Sequence, residues 1–181
     1  MYILLAILVV VAVVFVGIYN RFIRLSNLTK EAWSGIDVQL KRRYDLIPKI
    51  VDTVKGYAEH EKNLLEEVTS IRSRLLQMNG AGEKGNVENH LSHTLKSIFA
   101  LAENYPDLKA NQGFLELQKM ISEVEDQIQM ARRYYNGTVR DYNICVEAFP
   151  SNLIANLLNY KPRDFFEIEY ATERKSPDVR F

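Results

Sequence analysis

An all-α architecture is predicted for this chain: a single N-terminal transmembrane helix followed by an antiparallel four-helix bundle with long, heptad-patterned helices. Three observations carry it. Between Tyr2 and Ile18 the opening segment MYILLAILVVVAVVFVGIY holds no charge and no strongly polar side chain. Four later stretches place apolar residues at alternating intervals of three and four, the repeat of helices that pack on helices. The breaks between those stretches are short, which sets neighbouring helices antiparallel.

At 1.5 Å per residue, Met1 to Tyr19 spans roughly 28 Å, close to the hydrocarbon thickness of a bilayer. Thirteen of its residues are Leu, Ile, Val or Phe, worth roughly −4 to −8 kcal/mol for insertion at about −0.3 to −0.6 kcal/mol each. A cleaved signal peptide would need a basic n-region, a shorter apolar run and a small-x-small site. Val16-Gly17-Ile18 followed by Tyr19-Asn20 supplies none of these, and no cysteine stands near residue 20 to take a lipid. An uncleaved anchor with its basic collar is therefore expected over residues 1–24. No Lys or Arg precedes the helix, whereas Arg21, Arg24 and Lys30 follow it. By the positive-inside rule the N-terminus lies outside and the remaining chain lies in the cytoplasm.

About 160 residues outside the membrane suffice for one domain with a sizeable core. The 23 basic and 23 acidic residues cancel, which leaves no basic excess for neutralising nucleic-acid phosphates. The balance hides a local bias, because Arg21, Arg24, Lys30, Lys41, Arg42 and Arg43 face only Glu31 and Asp37 over residues 21–43. Such a collar suits anionic lipid head groups, and the bilayer is the expected partner. The single cysteine, Cys145, excludes an intrachain disulfide.

The first bundle helix is expected over residues 28–58, continuous with the anchor because no Pro or Gly lies between Ile18 and Ser34. Its seam runs through Ile36, Leu40, Arg43, Ile47, Ile50, Val54 and Tyr57, with Pro48 bending rather than breaking it. A second helix, 60–78, carries Leu64, Val68, Ile71, Leu75 and Met78 and stops at the flexible turn Asn79 to Gly85, where three glycines fall in seven residues. The third, 86–104, shows Val87, Leu91, Leu95, Ile98 and Ala102, and Pro106 pushes Tyr105 out of the helical region. The fourth, 111–149, keeps its seam from Phe114 to Phe149 and stops at Pro150. These helices make up a bundle domain of residues 25–149. Residues 150–170 should form a short helix capped by Ser151 and an apolar tail, and residues 171–181 a disordered end.

Several of these stretches carry a resemblance. Tyr19-Asn20, Ala32-Trp33-Ser34, the run Ile36-Asp37-Val38-Gln39-Leu40-Lys41-Arg42-Arg43-Tyr44-Asp45-Leu46-Ile47-Pro48, Val54-Lys55-Gly56-Tyr57-Ala58 and His60-Glu61 all resemble the bacterial LemA family. Tyr105-Pro106-Asp107-Leu108-Lys109-Ala110-Asn111, Arg132 to Asn136, Tyr142-Asn143 and Phe149-Pro150 match it as well. One departure is Lys49-Ile50, where the family usually reads Asn-Leu. The resemblance covers nearly the whole chain and implies a helical bundle anchored in the bacterial inner membrane. It leaves the outer face as the alternative side for the bundle, since some relatives look like exported lipoproteins, although this chain lacks their cysteine.

Arg43 asks for an explanation, because a guanidinium cannot stay in an apolar seam without a carboxylate or several carbonyls. Glu125 and Arg132 are seven apart on the fourth helix, as are Asn136 and Asn143, so each pair shares a face. A structural polar layer is expected in which Arg43 meets Glu125, with Asn136 or Asn143 nearby. The competing reading has Arg43 snorkelling to the bundle's edge and the asparagines solvated.

No feature points to an enzyme, a cofactor or a metal. Di-iron bundles need Glu-x-x-His pairs, and no Glu here has a His three residues on. His90 and His93 supply half a metal site at most, His60 lacks zinc-peptidase spacing, and Cys145 reads as a small core residue. Two non-enzymatic classes remain. In the first the protein is a self-associating scaffold, a homo-oligomer that organises or shapes the membrane or a membrane complex. In the second it is a monomeric adaptor or regulator of an integral membrane protein such as a protease or transporter, held against Tyr105, Pro106 and Asp107 and an exposed Phe165 and Phe166.

Overall fold

The computed structural model describes residues 1–78 and 81–166. Within them the chain is all-helical, with no strand among the described residues. The helices are α1 (Tyr2–Lys55), α2 (Lys62–Gln77), α3 (Ala81–Leu101), α4 (Pro106–Lys109), α5 (Gln112–Glu147) and α6 (Ser151–Leu157). Short 3₁₀ turns, Glu59–Glu61 and Ala102–Asn104, precede α2 and follow α3. Two compact units are built from these elements: Met1–Gln39 with Gln127–Phe165, and Leu40–Asp126 together with Phe166. The expected disordered end and the tail residues Ile168 and Tyr170 lie outside the described residues, as do Asn79 and Gly80.

Helix α1 is a single 54-residue helix that takes in both the expected anchor and the expected first bundle helix. Its N-terminal stretch is long and apolar enough to cross a membrane, and none of that stretch is buried in the protein. Beyond it, Ile36, Leu40, Arg43, Ile47, Ile50 and Val54 are all buried, the 3,4 seam of a packed helix. Tyr57 departs from the expected seam at 41 % exposure, because the helix has already ended at Lys55 and its periodicity no longer holds the side chain inward.

Pro48 stands inside α1 and has no N–H to offer the carbonyl of Tyr44, four residues back. Arg72 on α2 replaces it, its Nε donating to that carbonyl at 2.8 Å. Arg72→Ala therefore strands a carbonyl and costs about 1–3 kcal/mol. In a Pro48→Ala background the helical N–H is restored, and the same substitution costs less. Denaturant midpoints of the four proteins give the coupling, and equal losses in both backgrounds would refute this account.

Helix α3 begins at Ala81, so the glycine-rich turn expected to run to Gly85 is helical from Ala81 onward. The local preference of Gly82 and Gly85 against helix is worth only about 1 kcal/mol each, and burial of Leu91, Leu95 and Ile98 further along the same helix outweighs it. Pro106 occupies the first turn of α4, and Tyr105 before it lies outside the helical region, the conformation that a following proline favours. Asn111 then caps α5, its Oδ1 accepting the Phe114 N–H at 2.9 Å.

In the unit of Met1–Gln39 and Gln127–Phe165, one apolar cluster joins Phe22 of α1, Tyr142, Cys145 and Val146 of α5, and Ile154 and Ala155 of α6. Ser151 does not cap α6; it is the first helical residue, and its hydroxyl donates back to the Ala148 carbonyl at 2.9 Å. Asn159 closes α6 in the left-handed region, φ 58°, while Tyr160 N–H reaches the Ala155 carbonyl at 2.9 Å. An asparagine tolerates that conformation where most residues would not. Phe149, the expected last seam residue of the fourth helix, is 81 % exposed, since α5 stops at Glu147.

Candidate functional site

Arg43 is 1 % exposed and is the largest of the fully buried side chains. Its two terminal nitrogens are divided between two helices. Nη2 donates to Glu88 of α3, itself 1 % exposed, and Nη1 donates to Glu125 of α5 at 2.6 Å and to the Ser92 hydroxyl at 3.0 Å. Ser92 in turn donates to the other Glu125 oxygen at 3.1 Å. Tyr44, next to Arg43 on α1, donates its hydroxyl to the second Glu88 oxygen. Both oxygens of Glu88 are thus engaged, and charge inside the helices is compensated where burial would otherwise expel it.

Glu125 is the solvent-facing member at 32 % exposure. It borders a groove of about 280 Å³ whose lining includes Ser92, Lys96, Phe99, Ser122 and Asp126. Among the described residues the Arg43 Nε atom has no hydrogen-bond partner, so the guanidinium is held through its two terminal nitrogens alone.

The expected polar layer is divided by the fold. Arg43 and Glu125 meet, whereas Arg132, Asn136 and Asn143 belong to the other compact unit. Asn143 is committed there to the chain after α6: its Nδ2 donates to the Arg163 carbonyl at 2.9 Å, and its Oδ1 accepts the Arg163 N–H at 2.8 Å. Both groups of that amide are thus engaged by the backbone of Arg163. Arg132 and Asn136 are half-buried on the same stretch of α5.

Sequence reasoning missed Glu88, Tyr44 and Ser92. A signal for Glu88 existed. Counting back from Leu91 in the 4,3 repeat lands on Glu88 and Lys84, both buried, and not on Val87. A glutamate at seam spacing is the partner that a seam arginine requires.

The chain after α6 is latched in its own unit. Arg163 donates to the Ser26 carbonyl at 3.2 Å and to the Ser26 hydroxyl at 2.7 Å. Its guanidinium also lies 4.5 Å from the centre of the Tyr142 ring. Tyr135, packed 5.4 Å from Trp33, donates its hydroxyl to the Asp164 carbonyl at 3.0 Å. Phe166, expected to be exposed, is fully buried, and only Phe165 keeps a surface, at 39 %. Its burial removes Phe166 from the expected interaction surface.

Burial pushes the Tyr135 hydroxyl above its ordinary value of 10.0, with Arg163 opposing the shift and Asp164 adding to it. A raised native value means that the folded state keeps the proton longer than the unfolded chain. The Tyr135 contribution is therefore complete below about pH 10 and is lost as pH rises beyond it. Melting curves at rising alkaline pH check this. The fall in Tm above about pH 10 is smaller for Tyr135→Phe than for the parent, and parallel curves would remove Tyr135 from the account.

Of the other expected surface residues, Tyr105 is half-buried, and Pro106 and Asp107 are exposed. The segment that contains them is a tight connector: Leu108 is fully buried, and Asn111 donates to the Tyr57 hydroxyl at 2.9 Å. Arg21, Arg24 and Lys30 are exposed along α1. His90 stands 2.8 Å from Glu67, and Cys145 is buried in the apolar cluster.

The model of the LemA family matches residues 32–181. The chain belongs to the LemA family. It is 29 % identical over 147 residues to Protein LemA of Metamycoplasma hominis, an alignment covering 81 % of this chain and 67 % of that protein. It is 21 % identical over 175 residues to Magnetosome protein MamQ 2 of Paramagnetospirillum magneticum, covering 82 % and 64 %. Magnetosome protein MamQ of Magnetospirillum gryphiswaldense is 19 % identical over 187 residues, covering 89 % and 67 %. The chain thus spans about two thirds of the length of these relatives. None of their names denotes an enzyme. With its apolar N-terminal helix, this is a membrane-associated LemA-type protein, and the family match takes in both Arg43 and its partners Glu88 and Glu125.

Proposed function

We propose that this LemA-family protein is a non-enzymatic, single-pass membrane scaffold. Its helices form an antiparallel four-helix bundle on the cytoplasmic side of the bacterial inner membrane, and copies of it self-associate to organise or shape the bilayer or a membrane complex. The observation that carries this reading is the unbroken α1, which supplies the membrane-spanning stretch and also delivers Arg43 to the buried ionic cluster. A helix shared in this way ties the anchor to the folded core without a flexible linker. The exposed basic residues Arg21, Arg24 and Lys30 support the cytoplasmic side. Relatives named for a cellular structure, the magnetosome, favour a part in an assembly over a soluble catalyst. A carboxylate with both oxygens engaged is suited to hold helices in register rather than to act as a base.

The molar mass of the full-length protein in mild detergent, beside that of a chain lacking residues 1–24, tests the proposal. A large, uniform assembly that collapses when the anchor is removed is expected. A monomer in both forms would instead favour the adaptor reading, for which the exposed Pro106, Asp107 and Phe165 are the specific support.

A further inference from the structure

Helix α6 has two apolar faces, and only one is used. Ile154 and Ala155 are buried in the cluster with Phe22 and Tyr142. Leu153 and Leu157, four apart and so on one face, are 61 % and 73 % exposed, and Phe149 just before the helix is 81 % exposed. An apolar face left bare beside a satisfied one calls for an occupant.

The position of α6 along α1 identifies that occupant. From Tyr2 to Gly17 every residue of α1 is exposed, and Ile18 is the first to pack against the cluster to which α6 contributes. Those sixteen bare residues span about 24 Å at 1.5 Å each, short of a hydrocarbon core of about 30 Å. If they cross a bilayer, its apolar slab reaches past Gly17 to the level at which α6 rests on α1. Charge agrees: residues 1–30 and 148–163 contain no Asp or Glu, while Arg21, Arg24 and Lys161 are exposed. We propose that α6 is an interfacial helix that sets Phe149, Leu153 and Leu157 into the boundary between head groups and acyl chains, with Arg21, Arg24 and Lys161 on anionic head groups. The protein then holds the membrane at two places, one spanning and one lying flat. The proposal rests on the reading of α1 as a membrane anchor.

The test uses the full chain reconstituted in vesicles of phosphatidylcholine and phosphatidylglycerol. An environment-sensitive fluorophore is placed in turn through Leu153→Cys, Leu157→Cys, Val10→Cys and Lys119→Cys. Cys145 is 2 % exposed and stays unlabelled under native conditions, and Lys119 is a solvent control at 79 % exposure. Lipids brominated near the top of the acyl chain should quench positions 153 and 157 about twofold or more, as expected for side chains about 5–10 Å into the boundary. Aqueous iodide should quench position 119 alone. Iodide quenching at 153 and 157 with position 10 still in lipid overturns the interfacial helix and leaves the anchor standing. Iodide quenching at position 10 as well overturns both. Protection of 153 and 157 from both quenchers also overturns the proposal, because protein, such as a second copy of this chain, would then cover the face.

Discussion

Arg43→Ala lowers the melting midpoint by about 6–20 °C, the equivalent of about 3–5 kcal/mol in a chain of this size. The loss comes less from the missing attraction than from what remains. Glu88 stays 1 % exposed with the Tyr44 hydroxyl still donating to it, and an ionised carboxylate in that position has lost the guanidinium that made burial tolerable. Glu88→Ala has a cost of the same order, because it takes from Arg43 its fully buried carboxylate, with the half-exposed Glu125 and Ser92 remaining among the described residues. Glu125→Ala costs less than either, since Glu125 is 32 % exposed and Arg43 keeps Glu88. The double substitution Arg43→Met with Glu88→Met removes both charges and keeps apolar volume, and it recovers most of the loss. Thermal melts of these variants decide the matter. An Arg43→Ala curve superimposed on the parent's would mean that the cluster does not hold the fold, and a double variant as unstable as either single one would mean that volume rather than charge is what Arg43 supplies.

Phe22→Ala has the second large effect, about 3–5 kcal/mol, and it acts at the membrane end of α1. Phe22 is fully buried, meets Tyr142 edge-on at 6.3 Å and stacks on Tyr160 at 4.9 Å. Among the described residues Phe22 is the α1 member of the buried cluster with α5 and α6, and Ile18 and Leu25 pack on its edge. Truncation leaves a cavity that backbone relaxation cannot close, because α6 is short and its far end is set by Asn159 and Tyr160. Amide exchange is the measurement. The Ile154 to Leu158 amides should lose protection in Phe22→Ala, and retained protection there would show that α6 is held by contacts other than the cluster.

Much of this protein was legible in its residues one segment at a time. The uncharged run from Tyr2 to Ile18 is a statement about transfer free energy and needs no partner to be read. The 3,4 spacing of Ile36, Leu40, Ile47, Ile50 and Val54 is likewise a property of one helix, and each of these residues is buried. Pro106 displacing Tyr105, the end of α5 before Pro150 and the burial of Cys145 are also local matters of backbone sterics or composition.

Only the tertiary structure decided partnership. Arg43 and a carboxylate were both readable, but the 3,4 repeat makes residues seven apart equivalent on a helix face. It cannot say which level of one helix meets which level of another. That register gave Arg43 the unforeseen Glu88 as well as Glu125, and it gave Asn143 to the backbone of Arg163. The same holds where Gly82 and Gly85 are helical against their local preference, where Phe166 is covered, and where the end of α5 left Phe149 bare. Segment character follows from short-range chemistry that the chain carries along its length. Contact identity follows from how several helices settle against one another, and that free energy is shared among residues far apart in the chain.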